Sequence, residues 1–474
     1  MRGKTIVLGV TGGIAAYKAA ELARECIKRG ARVHVIMTHN ATKFITPLTF
    51  QTLTGNAVPV DTFQLTGEWE IGHVSLAESA DLVLLAPATA NVIGKIAGGI
   101  ADDLLTTTVM ATRAPVLICP AMNVNMYANP IVRENMEKLS AKGYRFVEAG
   151  YGELACKTEG YGRLAPLEDI VEDAEDLLTA KDLGGQHVLV TAGPTREAFD
   201  PVRFITNYST GKMGYAVALA AKRRGAQVTL VSGPTGLPRP RGVAFVPVSS
   251  AREMRDAVMA HLEGATIVVK SAAVADYRPA GFSASKIKKT DRPLEFTLER
   301  NPDIIAEVGK VKGDRILVGF AVETENLVPY AVRKMKEKNM DLIVANDISQ
   351  PGAGFAAETN IVKILDREGG SLDLPLMDKM DVANRILDRV AELAARRTLT
   401  ADERAWLAAS CRAVREAPDN AAHRVADHDH QVLQGRRLAR HGLHGLVAGR
   451  HEGRAQQQIL GDVAADRALG RQQQ

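Results

Sequence analysis

The sequence predicts an α/β protein made of two parallel-sheet domains, and three observations carry that prediction. Each half opens with the same unit: an apolar run of strand length, a Gly-containing turn, a helical pattern, a Gly stop and a second strand. The two openings echo each other in KRGARVHVIMT (residues 28–38) and KRRGAQVTLVSG (residues 222–233). Between them lies TAKDLGGQ, Thr179 to Gln186, polar and Gly-rich as a domain boundary should be. At 474 residues, 46% apolar and 24% charged, the chain has material for two or three domains with sizeable cores. The expected organisation is a first domain over 1–180, a second over 186–397 and an atypical extension over 398–474.

The first strand is KTIVLGV, residues 4–10. In the helix that follows TGG, Ala15, Ala19, Leu22, Ala23, Cys26 and Ile27 share one face. Gly30 stops that helix and RVHVIM is the next strand. A strand, TGGIAAYK and a helix make a place to hold a phosphate. Gly12 and Gly13 let backbone amides approach closely, and the helix start at Ile14 adds partial positive charge. The spacing is not GxGxxG, and the second strand ends in Thr38 where dinucleotide enzymes usually carry an acidic ribose anchor. The second half ends the corresponding strand at Ser232. Both halves therefore suit a mononucleotide, such as FMN or a CTP-like ligand, better than a dinucleotide.

Next, the strand Leu82 to Ala86 ends in Pro87, and Ala88-Thr89-Ala90-Asn91 opens a helix. Thr89 and Asn91 are short polar groups suited to capping or to gripping a ligand. APVLICPAMNVNMY holds another buried strand, with Cys119 at its end in a packing position. Asn123 lies just beyond, where ligands sit in open α/β sheets. GYGELACKTEGYGRL, Gly150 to Leu164, then sets Cys156 in a Gly-rich segment able to fold over a site, beside the cationic Lys157. The second half repeats the opening with QHVLVTAG as a strand, a helix over Met213 to Arg224, and QVTLVSG as a strand.

Several classes are excluded. A net charge of +4 is too small for a generic nucleic-acid binder. Four cysteines without a CxxC or a Cys/His cluster make neither a disulfide framework nor a zinc site. The apolar run at the N-terminus is short and ends in Gly-Gly, as a buried strand does rather than a signal peptide. Leu82 to Ala101 is interrupted by Pro87, Asn91 and Lys95, so no membrane span is expected and the cytoplasm is the expected compartment. Residues 401–474 contain no lysine, 11 arginines and six of the 11 histidines, with Trp406 as the only aromatic. That stretch reads as a loosely ordered, solvated extension.

GVTGGIAAYK, GHVSLA, APATAN, PAMNVNMY and LACKTEGYGR together resemble the flavin-dependent cysteine decarboxylases. TAGPTRE, DPVRFITNYSTGKMG, AAVADYRP, KIKK, NPDI, VGFAVET and ANDIS resemble phosphopantothenate–cysteine ligase. In order and junction the set is similar to the bifunctional bacterial proteins of coenzyme A synthesis over roughly residues 1–395. The resemblance implies a flavodoxin-like decarboxylase domain followed by a Rossmann-like ligase domain. For the first it implies FMN held around Gly12, Gly13, Ile14, Thr38, Ala88, Thr89, Ala90 and Asn91. FMN turns the cysteine thiol carbon into a thioaldehyde, an electron sink for the carbanion left when CO₂ departs, and returns the electrons afterwards. His73 is implied as catalytic base, Asn123 as holder of the substrate carboxylate and Cys156 as proton donor in the reductive half.

For the second domain the resemblance implies attack of 4′-phosphopantothenate on the α-phosphate of CTP, with Mg²⁺, and displacement of CMP from the acyl-cytidylate by L-cysteine. Asn207 is implied to stabilise breakdown of the acyl-cytidylate. Asp276, Lys286, Asn301, Pro302, Asp303, Ile304, Phe320, Lys334 and Lys338 are implied to bind CTP. From the residues alone, Asn207 would equally cap a helix, and Lys286 or the Lys334/Lys338 pair would equally be solvated charge. Cytidine rather than adenosine follows from the resemblance only. The expected partners are these small molecules, with neither nucleic acid nor membrane, and further copies of the chain: decarboxylase trimers and ligase dimers building a dodecamer. Two other readings compete, a non-catalytic flavin-binding regulator and a nicotinamide-dependent oxidoreductase. His73, Asn123 and Cys156 together speak against the first; the missing acidic anchors and GxGxxG speak against the second.

Overall fold

The apolar run near the N-terminus is a strand with both faces covered: Thr5–Val10 (β1) is buried at every residue, as parallel strands between helical layers are. The computed structural model describes residues 1–61, 72–154, 157–289, 294–323, 327–347, 354 and 357–398, so the expected extension lies, from residue 399, outside the described residues. The chain divides into two units, Met1–Ala180 and Lys181–Gln474.

In the first unit β1 is followed by α1 (Lys18–Lys28), β2 (Arg32–Met37), α2 (Pro47–Thr54), α3 (Gly72–Ser79) and β3 (Leu82–Ala88). Then come α4 (Ala90–Gly98), α5 (Leu104–Ala111), β4 (Val116–Pro120), α6 (Val124–Ala128), α7 (Pro130–Ala141) and β5 (Arg145–Phe146). A hairpin, β6 (Gly150–Glu153) and β7 (Glu159–Arg163), and α8 (Leu167–Leu178) complete it. The sheet is parallel in the order β2-β1-β3-β4-β5, the flavodoxin-like arrangement. One face packs on α1 and α8 through Leu22, Ala23 and Ile170, the other on α4 and α5 through Ile93 and Leu105. The helical register expected from Ala15 onward is there, but Ile14–Tyr17 forms a single 3₁₀ turn before α1 begins.

The second unit runs β8 (His187–Ala192), β9 (Arg196–Ala198), β10 (Phe204–Thr206), α9 (Lys212–Arg223), β11 (Gln227–Ser232), β12 (Ala244–Pro247), α10 (Ala251–Ala260) and β13 (Ile267–Lys270). It continues with β14 (Tyr277–Pro279), β15 (Leu298–Arg300), α11 (Ile304–Lys310), β16 (Ile316–Glu323), α12 (Leu327–Glu337) and β17 (Leu342–Asp347). The antiparallel β18 (Thr359–Asp366) and β19 (Ser371–Asp378) and the long α13 (Lys379–Thr398) follow. The sheet order is β12-β11-β8-β13-β16-β17-β18-β19. Side chains on one face pack on α9 and α13 (Val217, Ile386), those on the other on α10, α11 and α12 (Met254, Ile305, Met335).

Each sheet reverses its winding once. The chain leaves β1 toward β2 and returns on the other side as β3; it leaves β8 toward β11 and β12 and returns as β13. The carboxyl ends of β1/β3 and of β8/β13 are therefore the crevices where such sheets take ligands.

Candidate functional site

At the first crevice, the loop after β1 is tied to the end of β3 by one buried hydroxyl. Thr11 Oγ1 donates to the Pro87 carbonyl at 2.7 Å and accepts from the Thr89 N–H at 3.1 Å. The two glycines that follow stand where a side chain would not fit or would fill the crevice. A methyl group at Gly12 would lie 2.4 Å from Asn40 Cβ; one at Gly13 would face Thr89 Cγ2 at 3.6 Å and the Ala121 carbonyl at 4.0 Å. Ile14 turns outward, 60% exposed. Thr38 closes the far side, its N–H donating to the Val10 carbonyl and its hydroxyl accepting from the Ala41 N–H at 3.3 Å. Thr89 caps α4 by accepting from the Val92 N–H, and Asn91 is exposed one position inside that helix. Gly12, Gly13, Ile14, Thr38, Ala88, Thr89, Ala90 and Asn91 thus gather at the carboxyl ends of β1, β2 and β3. Two glycines that let the backbone approach closely, two hydroxyls and an exposed apolar side chain fit the phosphate and the flat ring of a flavin mononucleotide.

The neighbouring strand end brings Asn123. It caps α6, its Oδ1 accepting from the Asn125 N–H at 2.8 Å. The Gly-rich segment is a β-hairpin rather than an irregular loop, and it lies on this strand end. Met122 N–H donates to the Gly162 carbonyl at 2.9 Å, and a methyl group at Gly162, whose φ is +143°, would stand 2.3 Å from the Met122 carbonyl. Only glycine permits that approach. Lys157, with φ +61°, turns the hairpin and donates from its N–H to the Leu154 carbonyl at 2.9 Å. Ala155 and Cys156, between these strands, lie outside the described residues. So does the side chain of His73, whose backbone is in the first turn of α3. Burial pushes the Cys26 thiol up to about 12 and the Cys119 thiol well above its usual value, so neither forms a thiolate near neutral pH.

The second crevice is knit from the same kind of contact. Asn207, in the turn between β10 and α9, does not cap that helix; Gly211 holds the cap position. Its Nδ2 donates instead to the Ala273 carbonyl beyond β13, at 3.0 Å. Asn207 lines a cleft of about 540 Å³ with Arg196, Phe204, Tyr208, Ser209 and Thr235. Asn301 joins the loop after β13 to the start of α11: its N–H donates to the Asp276 carbonyl at 2.9 Å and its Nδ2 to the Ala275 carbonyl at 2.8 Å. Pro302 follows, Asp303 caps α11 by accepting from the Ala306 N–H, and Ile304 is buried beneath. Lys338 pairs with Asp303 at 2.7 Å, and desolvation notwithstanding, that pairing and the cap hold the Asp303 carboxyl below its usual range.

Phe320 points to the other face of the sheet, against the core shared by α9 and α13. Asp276, Asn301, Asp303, Lys334 and Lys338 therefore gather on the α11/α12 side, while Phe320 stands across the strand ends from them. Lys286 is exposed in a segment without regular structure. That segment is anchored one residue on, where Ile287 N–H donates to Asp200 Oδ2 at 3.2 Å and Ile287 O accepts from Arg203 at 2.9 Å.

Two features escaped the sequence reading. Asp200 is buried and gathers the N–H groups of Val202, Arg203 and Ile287 with the Arg203 guanidinium. The guanidinium, helped by those amides, holds its carboxyl far below the usual range. The acid and base three apart in DPVR were the available signal. Lys270 ends β13 at the crevice itself, partly buried, and a lysine closing the apolar run IVVK was the signal there. Among the described residues no group of three His, Cys, Asp or Glu side chains is placed to hold a metal, and no helix is long and apolar enough to cross a membrane.

Residues 1–179 match the family model described as Flavoprotein, and residues 183–393 match the one described as DNA/pantothenate metabolism flavoprotein C-terminal domain. Over 397 residues the chain is 50% identical to the coenzyme A biosynthesis bifunctional protein CoaBC of Bacillus subtilis (strain 168), covering 83% of this chain and 98% of that one. It is 45% identical over 395 residues to the protein of the same name from Escherichia coli (strain K12), covering 82% of this chain and 97% of that one. A solved C-terminal domain of CoaBC is 43% identical, with a TM-score of 0.40, covering 45% of this chain and 98% of that one.

Proposed function

The chain belongs to the family of bifunctional coenzyme A biosynthesis proteins, and from that membership we infer how its two units divide the work. It ligates 4′-phosphopantothenate to L-cysteine and decarboxylates the product to 4′-phosphopantetheine. The ligation belongs to residues 186–397 and the decarboxylation to residues 1–180. The observation that supports this division is that each unit has its own switch-point crevice, lined by its own set of the residues quoted above.

In the ligation, the substrate carboxylate attacks the α-phosphate of CTP and pyrophosphate leaves. The cysteine amine then attacks the acyl carbon and CMP departs. Asn207 presents an amide N–H where charge develops on that carbonyl, and its hold on the Ala273 carbonyl keeps it at the end of β13. Asp276, Asn301, Pro302, Asp303, Ile304 and Phe320 hold the nucleoside, and Lys286, Lys334 and Lys338 face its phosphates. Mg²⁺ would enter with the triphosphate and offset its charge.

In the decarboxylation, Gly12, Gly13, Ile14, Thr38, Ala88, Thr89, Ala90 and Asn91 would hold FMN, which would supply a reversible two-electron sink. His73 takes the first proton. Asn123, fixed at the start of α6, holds the carboxylate and orients it for loss of CO₂. Cys156 returns a proton to the carbon left behind. The assembly is a cytoplasmic dodecamer of decarboxylase trimers, so light scattering should give twelve times the 50.9 kDa chain mass. A monomer active in both steps would refute that assembly.

Separating the steps tests the division. Asn207→Ala should lose ligation by at least roughly a hundredfold, as loss of an oxyanion donor does. It should decarboxylate supplied 4′-phosphopantothenoylcysteine at the wild-type rate. Equal loss of both activities would contradict the assignment.

A further inference from the structure

Thr195 lies in the loop after β8 and is fully buried. A buried hydroxyl and the peptide groups beside it need hydrogen-bond partners, and Thr195 finds them on two separate parts of the second unit. Its Oγ1 accepts from the Ala275 N–H at 3.0 Å, and its own N–H donates to the Ala273 carbonyl at 3.4 Å, both in the loop after β13. Its carbonyl accepts from Thr206 Oγ1 at 2.7 Å, at the end of β10. Pro194 and Ala273 pair in parallel beside it, so the loops after β8 and β13 run together at the crevice.

Both parts that Thr195 joins carry site residues. Thr206 directly precedes Asn207, whose Nδ2 donates to the same Ala273 carbonyl at 3.0 Å. The Ala275 carbonyl accepts from Asn301 Nδ2 at 2.8 Å, so the turn before α11 hangs from the residue whose N–H Thr195 holds. Thr206 and Asn207 are exposed, so packing does little to fix them and these hydrogen bonds set their place.

We propose that Thr195 is a positioning residue for the ligation, holding the turn that carries Asn207 at a fixed place against the loop after β13. It acts through Asn207 and touches no reacting atom. The inference rests on the reading of Asn207 as the donor that meets charge on the acyl carbonyl, and adds the residue that aims it. Such a donor must be held within about 0.5 Å of its productive place. A displacement of about 1 Å can cost roughly a hundredfold in rate.

The experiment is a double-mutant cycle on the full chain, read as CMP release at saturating CTP, 4′-phosphopantothenate and L-cysteine. Thr195→Val keeps the shape and removes the acceptor, and should slow ligation roughly tenfold or more. Thr195→Ser restores the hydroxyl and should ligate within a few-fold of wild type. In the Asn207→Ala background, Thr195→Val should cost less than about twofold, because the group it positions is gone. Thr206→Val removes only the hydroxyl that the Thr195 carbonyl accepts from, at an exposed position. It should show the same pattern with a several-fold loss, and it decides the matter if Thr195→Val does not melt cooperatively. Each folded variant should decarboxylate supplied 4′-phosphopantothenoylcysteine at the wild-type rate. A valine variant that ligates as wild type does, a serine variant as slow as valine, or a loss that multiplies in full with that of Asn207→Ala overturns the proposal. Asn207→Ala that ligates at the wild-type rate overturns the reading of Asn207 instead.

Discussion

Asp200 shows how a single residue positions a segment that a sequence pattern only suggests. Buried in the second unit, it is the common acceptor for three backbone amides and one guanidinium, and one of those amides belongs to Ile287, inside KIKK. Replacement by Asn keeps the shape but removes the charge that Arg203 is matched to. Asp200→Asn should raise the KM for CTP several-fold with little change in the decarboxylation of supplied substrate. The pH dependence follows from the depressed carboxyl. A group lowered in the folded state stabilises it above its unfolded value of about 4, and that contribution is lost as pH falls. Wild-type thermal midpoints should therefore drop more steeply than those of Asp200→Asn as the pH is taken from 5 to 3. Parallel curves would show that Asp200 contributes through shape alone. Single residues of this kind were hard to read in the sequence, because an Asp in a loop looks the same whether it is solvated or the hub of five hydrogen bonds. Asn207 was ambiguous in the same way. Its competing role as a helix cap is taken by Gly211, and one N–H of its amide goes to a carbonyl 66 residues later in the chain.

Elements were read more easily than residues, for a physical reason. A strand buried on both faces must be apolar at successive positions, and β1, β3 and β8 announce themselves in this way. The helices between them show the 3.6-residue period, as α1 does in burying Ala19, Leu22, Ala23 and Cys26. The hairpin of β6 and β7 left a weaker trace. Its two short strands carry Tyr151 and Tyr161 with ring centroids 5.3 Å apart, flanked by glycines and ended by charged residues, so apolar alternation is hidden and the segment resembles a loop. The glycines are there because the hairpin lies on the Met122–Val124 backbone: methyl groups at Gly160 and Gly162 would reach Val124 Cγ1 at 2.8 Å and the Met122 carbonyl at 2.3 Å. The same contact brings the hairpin beside Asn123, the residue given to the substrate carboxylate.

At the scale of the whole molecule, two sheets of different order, five strands and eight, each turn back once and each open a crevice at that turn. On the proposed division, two reactions in series, on one intermediate, would use one crevice each. The sequence showed the duplication through its echoed openings but not the additional antiparallel strands β18 and β19, whose pairing depends on a partner edge that only the folded sheet provides. The account is tested most directly by the mass spectrum of one reaction. The full chain is mixed with 4′-phosphopantothenate, L-cysteine, CTP and Mg²⁺, beside the Cys156→Ser variant. Wild type should yield 4′-phosphopantetheine. The variant should consume CTP at the same rate and stop after CO₂ loss at a species two hydrogens lighter. A variant that makes 4′-phosphopantetheine as wild type does, or a wild type that consumes no CTP, would contradict it.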